Sequence, residues 1–245
     1  MKNINALPIR GFKNLNQTDI KIIKREFPRI ILRYIHKNSD FQKIVKSKTK
    51  EAGQSYANKV EELVIQALKN SIYGRYLSQE PHINGKVQKR PQADTLWKNA
   101  PFNVKLTFME YGSPNMGSAK RLIKKLRENI ISQYYIIYVM VDKDTKKVQV
   151  RIFDLLDNLN FIRIDAGPGQ MMLDLKKFYT GPINQTKRLS LHEKMILLIK
   201  MKQAANNSKI IHLQKENKSY KRLDDAGFKK CSRTAKKVIC ELSMC

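Results

Sequence analysis

Eight consecutive apolar residues, Tyr134-Tyr135-Ile136-Ile137-Tyr138-Val139-Met140-Val141, limit the fold more than any other stretch of the chain. Apolar residues at both odd and even positions read as a β-strand buried on both faces. A strand of that kind needs a layer packed on each side. Lys146 to Phe153 alternates instead, and follows through the turn sequence Asp142-Lys143-Asp144-Thr145, so it reads as the hairpin partner. The run is far too short to span a bilayer.

Helical periodicity supplies the flanking layers. Ile20, Ile23, Phe27, Ile30, Ile31, Tyr34 and Ile35 recur at helical spacing behind a cap at Thr18 or Asp19, and Pro28 is expected to kink or divide that helix. Its other face is rich in Lys and Arg, ordinarily a solvated face but also one that can lie along a phosphate backbone. Glu51 to Asn70 is predicted as a helix with Tyr56, Val60, Leu63, Val64, Ala67 and Leu68 as its apolar stripe. Ser118 to Ser132 reads as a basic helix with Leu122, Ile123, Leu126 and Ile130 inward. Leu189 to Ala205 is predicted as a further helix, broken by Asn206-Asn207-Ser208. The tail from Ser208 to Ile239 carries ten Lys and Arg against three acids. It reads equally as a solvated tail and as a DNA-contacting appendage.

Between these helices lie short strands. Tyr73 to Glu80 reads as a first core strand, and His82 to Lys89 as a hairpin tip turning at Asn84-Gly85. Ala93 to Trp97 and Phe102 to Leu106 form a second hairpin, with Asn99 and Pro101 as its turn residues. Met109 to Gly117 is a loop, and Leu159 to Ile164 a later strand. From residue 51 to about 142 the order is helix, strand, strand, strand, helix, strand. At 245 residues the chain suits one domain with additions: a basic helical region over 1–50, a core over 51–183, and a C-terminal helix with a basic region over 184–245.

The hairpin around Arg90 to Phe108 carries the chemistry. Alternation puts Asn103 and Lys105 on one strand face and Phe102, Val104 and Leu106 on the other. Asp94 on the facing arm can meet Lys105. A carboxylate, an amide oxygen and a lysine on adjacent strands suit a divalent cation beside a scissile phosphate. Taken singly, Asp94 is as well read as a turn-capping residue and Lys105 as a snorkelling edge lysine. Glu61 and Glu62 flank the stripe of the preceding helix, where acids are ordinarily surface residues.

With Pro91-Gln92-Ala93-Asp94 and Asn103-Val104-Lys105 in this element order, the chain resembles the PD-(D/E)xK nuclease superfamily, and most nearly its type II restriction endonucleases. Two features depart from that pattern: two residues separate Pro91 from Asp94, and Asn103 stands where an acid is usual, although some members carry Asn or Gln there. The resemblance implies an α/β (α+β) fold with a restriction-endonuclease-like core, a central mixed β-sheet flanked by helices with helical N-terminal and basic C-terminal additions, Mg2+ as cofactor, and hydrolysis of double-stranded DNA at a short specific site. It makes Asp94, Asn103, Lys105 and Glu61 the catalytic residues, with Asp94, Asn103 and Glu61 holding the metal. Glu61 is preferred to Glu62 because Leu63 and Val64 follow it as buried anchors. A homodimer, and a DNA methyltransferase acting on the same site, are further implications. Two other readings stay open: a repair or junction-cleaving nuclease of the same superfamily, and a basic nucleic-acid-binding protein without catalysis.

Charge points to the same partner independently. With 48 Lys and Arg against 21 Asp and Glu, the chain carries a net charge of +27, which calls for a polyanion, nucleic acid first. Ser118, Lys120, Lys218, Lys221 and Arg222 are the DNA-contact candidates. No aromatic-faced basic helix recommends a membrane surface. Met1 to Phe12 lacks an apolar signal core, so a soluble, cytoplasmic protein is expected. Cys231, Cys240 and Cys245 lack metal or redox spacing and read as free thiols. His36, His82, His192 and His212 are scattered and form no metal motif. Gly167-Pro168-Gly169 lacks the frame of a phosphate-binding loop.

Overall fold

The computed structural model describes residues 15–46, 53–78, 93–98, 100–108, 114–128, 130–142, 144–166 and 169–225, with the backbone alone at 53–55 and 219–225. The 82–89 tip, Pro91, Asn99, Gly167-Pro168, the three cysteines and the chain beyond 225 lie outside these residues.

The expected both-faces-buried strand is the centre of the fold. Strand β5 (Tyr135–Val141) is buried at all seven positions. Together with β1 (Leu77–Ser78), β2 (Thr95–Trp97), β3 (Ala100–Phe108) and β6 (Val148–Asp154) it forms a mixed sheet in the order β1-β2-β3-β5-β6. Only β3 and β5 run parallel. A parallel neighbour needs a crossover, and this one passes through β4 (Asn115–Ser118) and helix α4 (Ala119–Arg127). The predicted order of helix, three strands, helix and strand is thus present, with β4 added. β4 belongs to a second, antiparallel sheet with β7 (Ile162–Ile164) and β8 (Gln170–Leu173), in the order β4-β8-β7.

Two apolar layers sandwich the main sheet. On one face α1 (Gln17–Lys37), α2 (Ser39–Lys46) and α3 (Gly53–Lys69) pack on Phe102 and Val104 of β3 and on Tyr135, Ile137, Val139 and Val141 of β5. On the other, Ile136, Tyr138 and Met140 meet α4, α5 (Leu175–Thr180), the second sheet and the start of α6 (Leu191–Asp225). Each fully buried Ile, Phe or Val contributes about 1.5–3 kcal/mol to this arrangement. α1 is no separate appendage: Phe27 meets Trp97 edge-on at 5.1 Å and lies 5.7 Å from Tyr73 and 6.1 Å from Phe102.

Several local expectations are corrected. The cap of α1 is Asn16, whose side chain accepts from Asp19 N–H at 2.8 Å, and the helix runs unbroken through Pro28. The carbonyl that Pro28 cannot engage is that of exposed Lys24, where water can replace the missing donor, while Ile23, Phe27 and Ile31 hold the helix to the core. Residues 73–76 are not strand. The chain turns back tightly after α3 through a 3-10 turn, Gly74–Tyr76, and among the described residues of that stretch Leu77–Ser78 pair with β2. A Cβ on Gly74 would stand 2.0 Å from the Lys69 carbonyl oxygen, so only glycine fits.

Pro101 is not in the turn but in β3, opposite Leu96, and Lys98, which follows β2, has φ 48°. Residues 156–161 form a 3-10 segment ahead of β7. The Asn206-Asn207-Ser208 break does not occur: α6 continues to Asp225. These residues cost only tenths of a kcal/mol each in a helix, and Ser208 Oγ donates back to the Ala204 carbonyl at 3.0 Å. No helix among the described residues is long and apolar enough to cross a membrane.

Candidate active site

The ladder between β2 and β3 covers only Thr95–Trp97 against Ala100–Phe102. Among the described residues β3 runs on beyond Phe102 without β2 beside it, and Asp94 sits at the point where the two part. Asp94 N–H donates to the Phe102 carbonyl at 2.9 Å. Its Oδ2 accepts the Val104 N–H at 2.6 Å, capping the first open donor of the β3 edge. This explains an aspartate just before β2: its side chain continues the ladder by one bond.

Lys105 follows on β3, half-buried and opposite Tyr138 of β5. α3 packs against β3 and brings Glu61 to the same place. The three side chains act on one another's charge. Burial raises the Asp94 carboxyl above its ordinary range, against the lowering effects of Lys105 and the Val104 N–H. Burial pushes Glu61 up to about 7; the Asp94 charge adds to this, Lys105 opposes it, and Glu62 adds a further increment. Two carboxylates and one lysine therefore share a partly desolvated corner in which negative charge is under-compensated. A cavity of about 430 Å³ adjoins it, lined by Glu62, Gln66, Lys69, Ser78, Asp94 and Thr95 among others. Glu61 is half-buried and coupled to Asp94 and Lys105, whereas Glu62 is exposed and lines the cavity.

Asn103 has a different setting. It is buried, and its Nδ2 donates to the Tyr134 hydroxyl at 3.1 Å. Among the described residues no group of three or more His, Cys, Asp or Glu is arranged to hold a metal ion. The protein donors at the corner are the two carboxylates. That number suits Mg2+, which keeps several waters and is commonly held by one or two carboxylates together with substrate phosphate.

The DNA-contact candidates are dispersed over α4 and α6. Ser118 caps α4, its Oγ accepting from Arg121 N–H at 3.5 Å, and Lys120 is exposed on the first turn. Lys218 is exposed on α6, and Lys221 and Arg222 lie on the same helix with side chains outside the described residues.

Sequence reasoning missed a second polar cavity, of about 290 Å³, between α1 and the start of β5. Lys21, Lys24, Arg25 and Lys187 stand among its lining residues, with Asp154 and Asp157. Asp154 Oδ1 accepts from Tyr134 N–H at 3.2 Å and Leu156 N–H at 2.9 Å. Burial, and then the charge of Asp157, push its carboxyl up to about 7. Asp157 Oδ1 is 2.6 Å from the Nζ of buried Lys194. Only the acid at the end of a strand, with another three residues on, marks this place in the sequence.

No protein-family model matches the chain, and no curated protein matches it.

Proposed function

We propose that the protein is a metal-dependent endonuclease acting on double-stranded DNA, of the PD-(D/E)xK kind and nearest to the type II restriction enzymes. The observation that carries this reading is the convergence of Glu61 on α3, Asp94 just before β2 and Lys105 on β3 where the two strands part. The element order around them and the +27 charge add support.

In this reading Glu61 and Asp94 hold Mg2+, which would neutralise charge at the phosphate and acidify a water. Asp94 is fixed by its bond from Val104 N–H, so one carboxylate oxygen is oriented by the sheet itself. Lys105 offers a cation toward the phosphate and a donor for the attacking water. Glu61, whose carboxyl burial pushes up to about 7, would give up its proton to hold the cation. A homodimer and a cognate methyltransferase follow from the restriction-enzyme reading alone. A basic binding protein without catalysis is the reading that the same test addresses.

The test is incubation with plasmid in Mg2+, with and without EDTA, for the parent, Asp94→Asn and Lys105→Ala. The parent is expected to cut, discrete fragments marking a site-specific enzyme. Both variants should lose several orders of magnitude in single-turnover rate while keeping the parent's melting temperature. In EDTA, Asp94→Asn should bind DNA at least as well as the parent, and Lys105→Ala slightly less well. Substantial cleavage by either folded variant removes the catalytic centre from this corner.

A further inference from the structure

Two stripes run the length of α1. Asp19, Ile23, Phe27, Ile31 and Ile35 recur every fourth residue and are buried. Lys21, Arg25, Arg29, Arg33 and Lys37 recur at the same interval, two residues out of step, and all are exposed. Two residues correspond to about 200° of helix rotation, so the basic stripe faces directly away from the core. From Lys21 to Lys37 it extends about 24 Å, with a cation about every 6 Å. Among the described residues the only carboxylate paired with a member of the stripe is Glu26, 3.5 Å from Arg29 and solvent-exposed. At its first turns the stripe borders the 290 Å³ cavity, where Lys21, Lys24 and Arg25 share the lining with Lys187 from the segment before α6. The two carboxylates there are engaged inward, Asp154 by backbone N–H groups and Asp157 by Lys194.

We infer that the outer face of α1, with the mouth of this cavity, is the surface that holds a nucleic-acid phosphate backbone. The inference rests on the reading of the partner as nucleic acid, and it places the principal contacts on α1 rather than on α4 or α6. α1 packs directly against α3, the helix that bears Glu61, so a backbone lying along it passes beside the layer that supplies the site. A lipid surface is the poorer occupant. A membrane-binding helix needs apolar side chains to insert, and none of the exposed large hydrophobic residues, Ile72, Tyr76, Ile183, Ile210 and Ile211, lies on α1.

The test measures affinity of the full chain for a fluorescent random-sequence duplex in EDTA, as a function of salt. Three variants are compared with the parent: Lys21→Gln/Arg25→Gln/Arg29→Gln/Arg33→Gln, a control Lys46→Gln/Lys146→Gln/Lys147→Gln/Lys176→Gln with the same loss of charge, and Lys187→Gln. Each lost phosphate contact flattens the slope of log K against log salt by about 0.9. Loss of all four contacts in the α1 variant should therefore flatten it by about 3.6 and weaken binding at least tenfold at moderate salt, and the control should flatten it by less than 1. Lys187→Gln should remove about one contact; an unchanged slope takes the cavity mouth out of the surface. Equal effects of the α1 and control variants overturn the assignment to α1. Failure of the parent to bind duplex at low salt overturns the nucleic-acid reading itself, and parent binding to phosphatidylserine vesicles in place of duplex assigns the stripe to a membrane.

Discussion

Glu61 is the residue at which site chemistry and stability meet. Its carboxyl titrates near 7 in the folded chain against an ordinary 4.5. Between those pH values the folded chain holds a proton that the unfolded chain has released. Stability is therefore free of this penalty below about pH 4.5, falls as the pH rises toward 7, and bears the full penalty above it. Glu61→Gln should raise the unfolding free energy above pH 7, by on the order of 1–2 kcal/mol after discounting for partial exposure, and converge on the parent near pH 4–5. The same substitution should abolish the rise in cleavage rate through pH 7 that the proposed function predicts for the parent in Mg2+. A variant no more stable than the parent at pH 8 would contradict this account of Glu61. Asn103 poses a sharper choice, because its amide is bonded to Tyr134. As a ligand position, Asn103→Ala should raise the Mg2+ needed for cleavage while Tyr134→Phe does not, and Asn103→Glu should preserve cleavage by restoring an acid. Equal Mg2+ requirement in Asn103→Ala and the parent would reduce Asn103 to a support for Tyr134.

The element that sets the site is the tight return between α3 and β1. α3 must end beside β2 for Glu61 and Asp94 to share a corner, and the chain reverses at Gly74 against the last turn of that helix. Ser71 Oγ donates to the Leu68 carbonyl at 2.7 Å, and Trp97 Nε1 donates to the Tyr73 carbonyl at 3.2 Å, pinning the return from both sides. Gly74→Ala puts a methyl group against a backbone oxygen. It should cost about 3 kcal/mol or more, lowering the melting temperature and cleavage together. A melting temperature within one degree of the parent would show that the return is more pliable than its geometry implies. Gly169 makes a different demand: its φ of 66° is a backbone conformation that L side chains rarely adopt, although only the Lys202 side chain lies near.

At the scale of the molecule, charge dominates. A net +27 over the whole chain, with basic residues along α1, α4 and α6, predicts steeply salt-dependent DNA binding, with affinity falling by orders of magnitude between 50 and 200 mM salt if about six phosphates are contacted. A nearly flat plot of log K against log salt would mean that the basic surface does not follow a phosphate backbone. Much of this charge is carried away from the core. α6 buries Lys194 and Leu198 near its start, but from Gln203 to Lys218 nearly every residue is exposed, so that part of the helix presents cations without contributing to packing.

Local pattern by itself determined the β5 strand, its β6 partner, the apolar stripes of α1 and α3, and the hairpin holding Asp94 and Lys105. Each follows from side-chain periodicity within one element, a property of neighbouring residues. Tertiary structure decided what depends on neighbours distant in sequence. Pro28 stays within α1 because Phe27 and Ile31 are held by the core. Tyr73 to Tyr76 is a turn because Gly74 closes on Lys69. α6 passes through Asn206 to Ser208 because a weak local preference is too small to end a helix. The coupling of Glu61 to Asp94 and Lys105, and the cavity joining α1 to Lys187, exist only once separate elements are packed. Burial and charge at a point in space depend on the whole chain, and no window of sequence contains them.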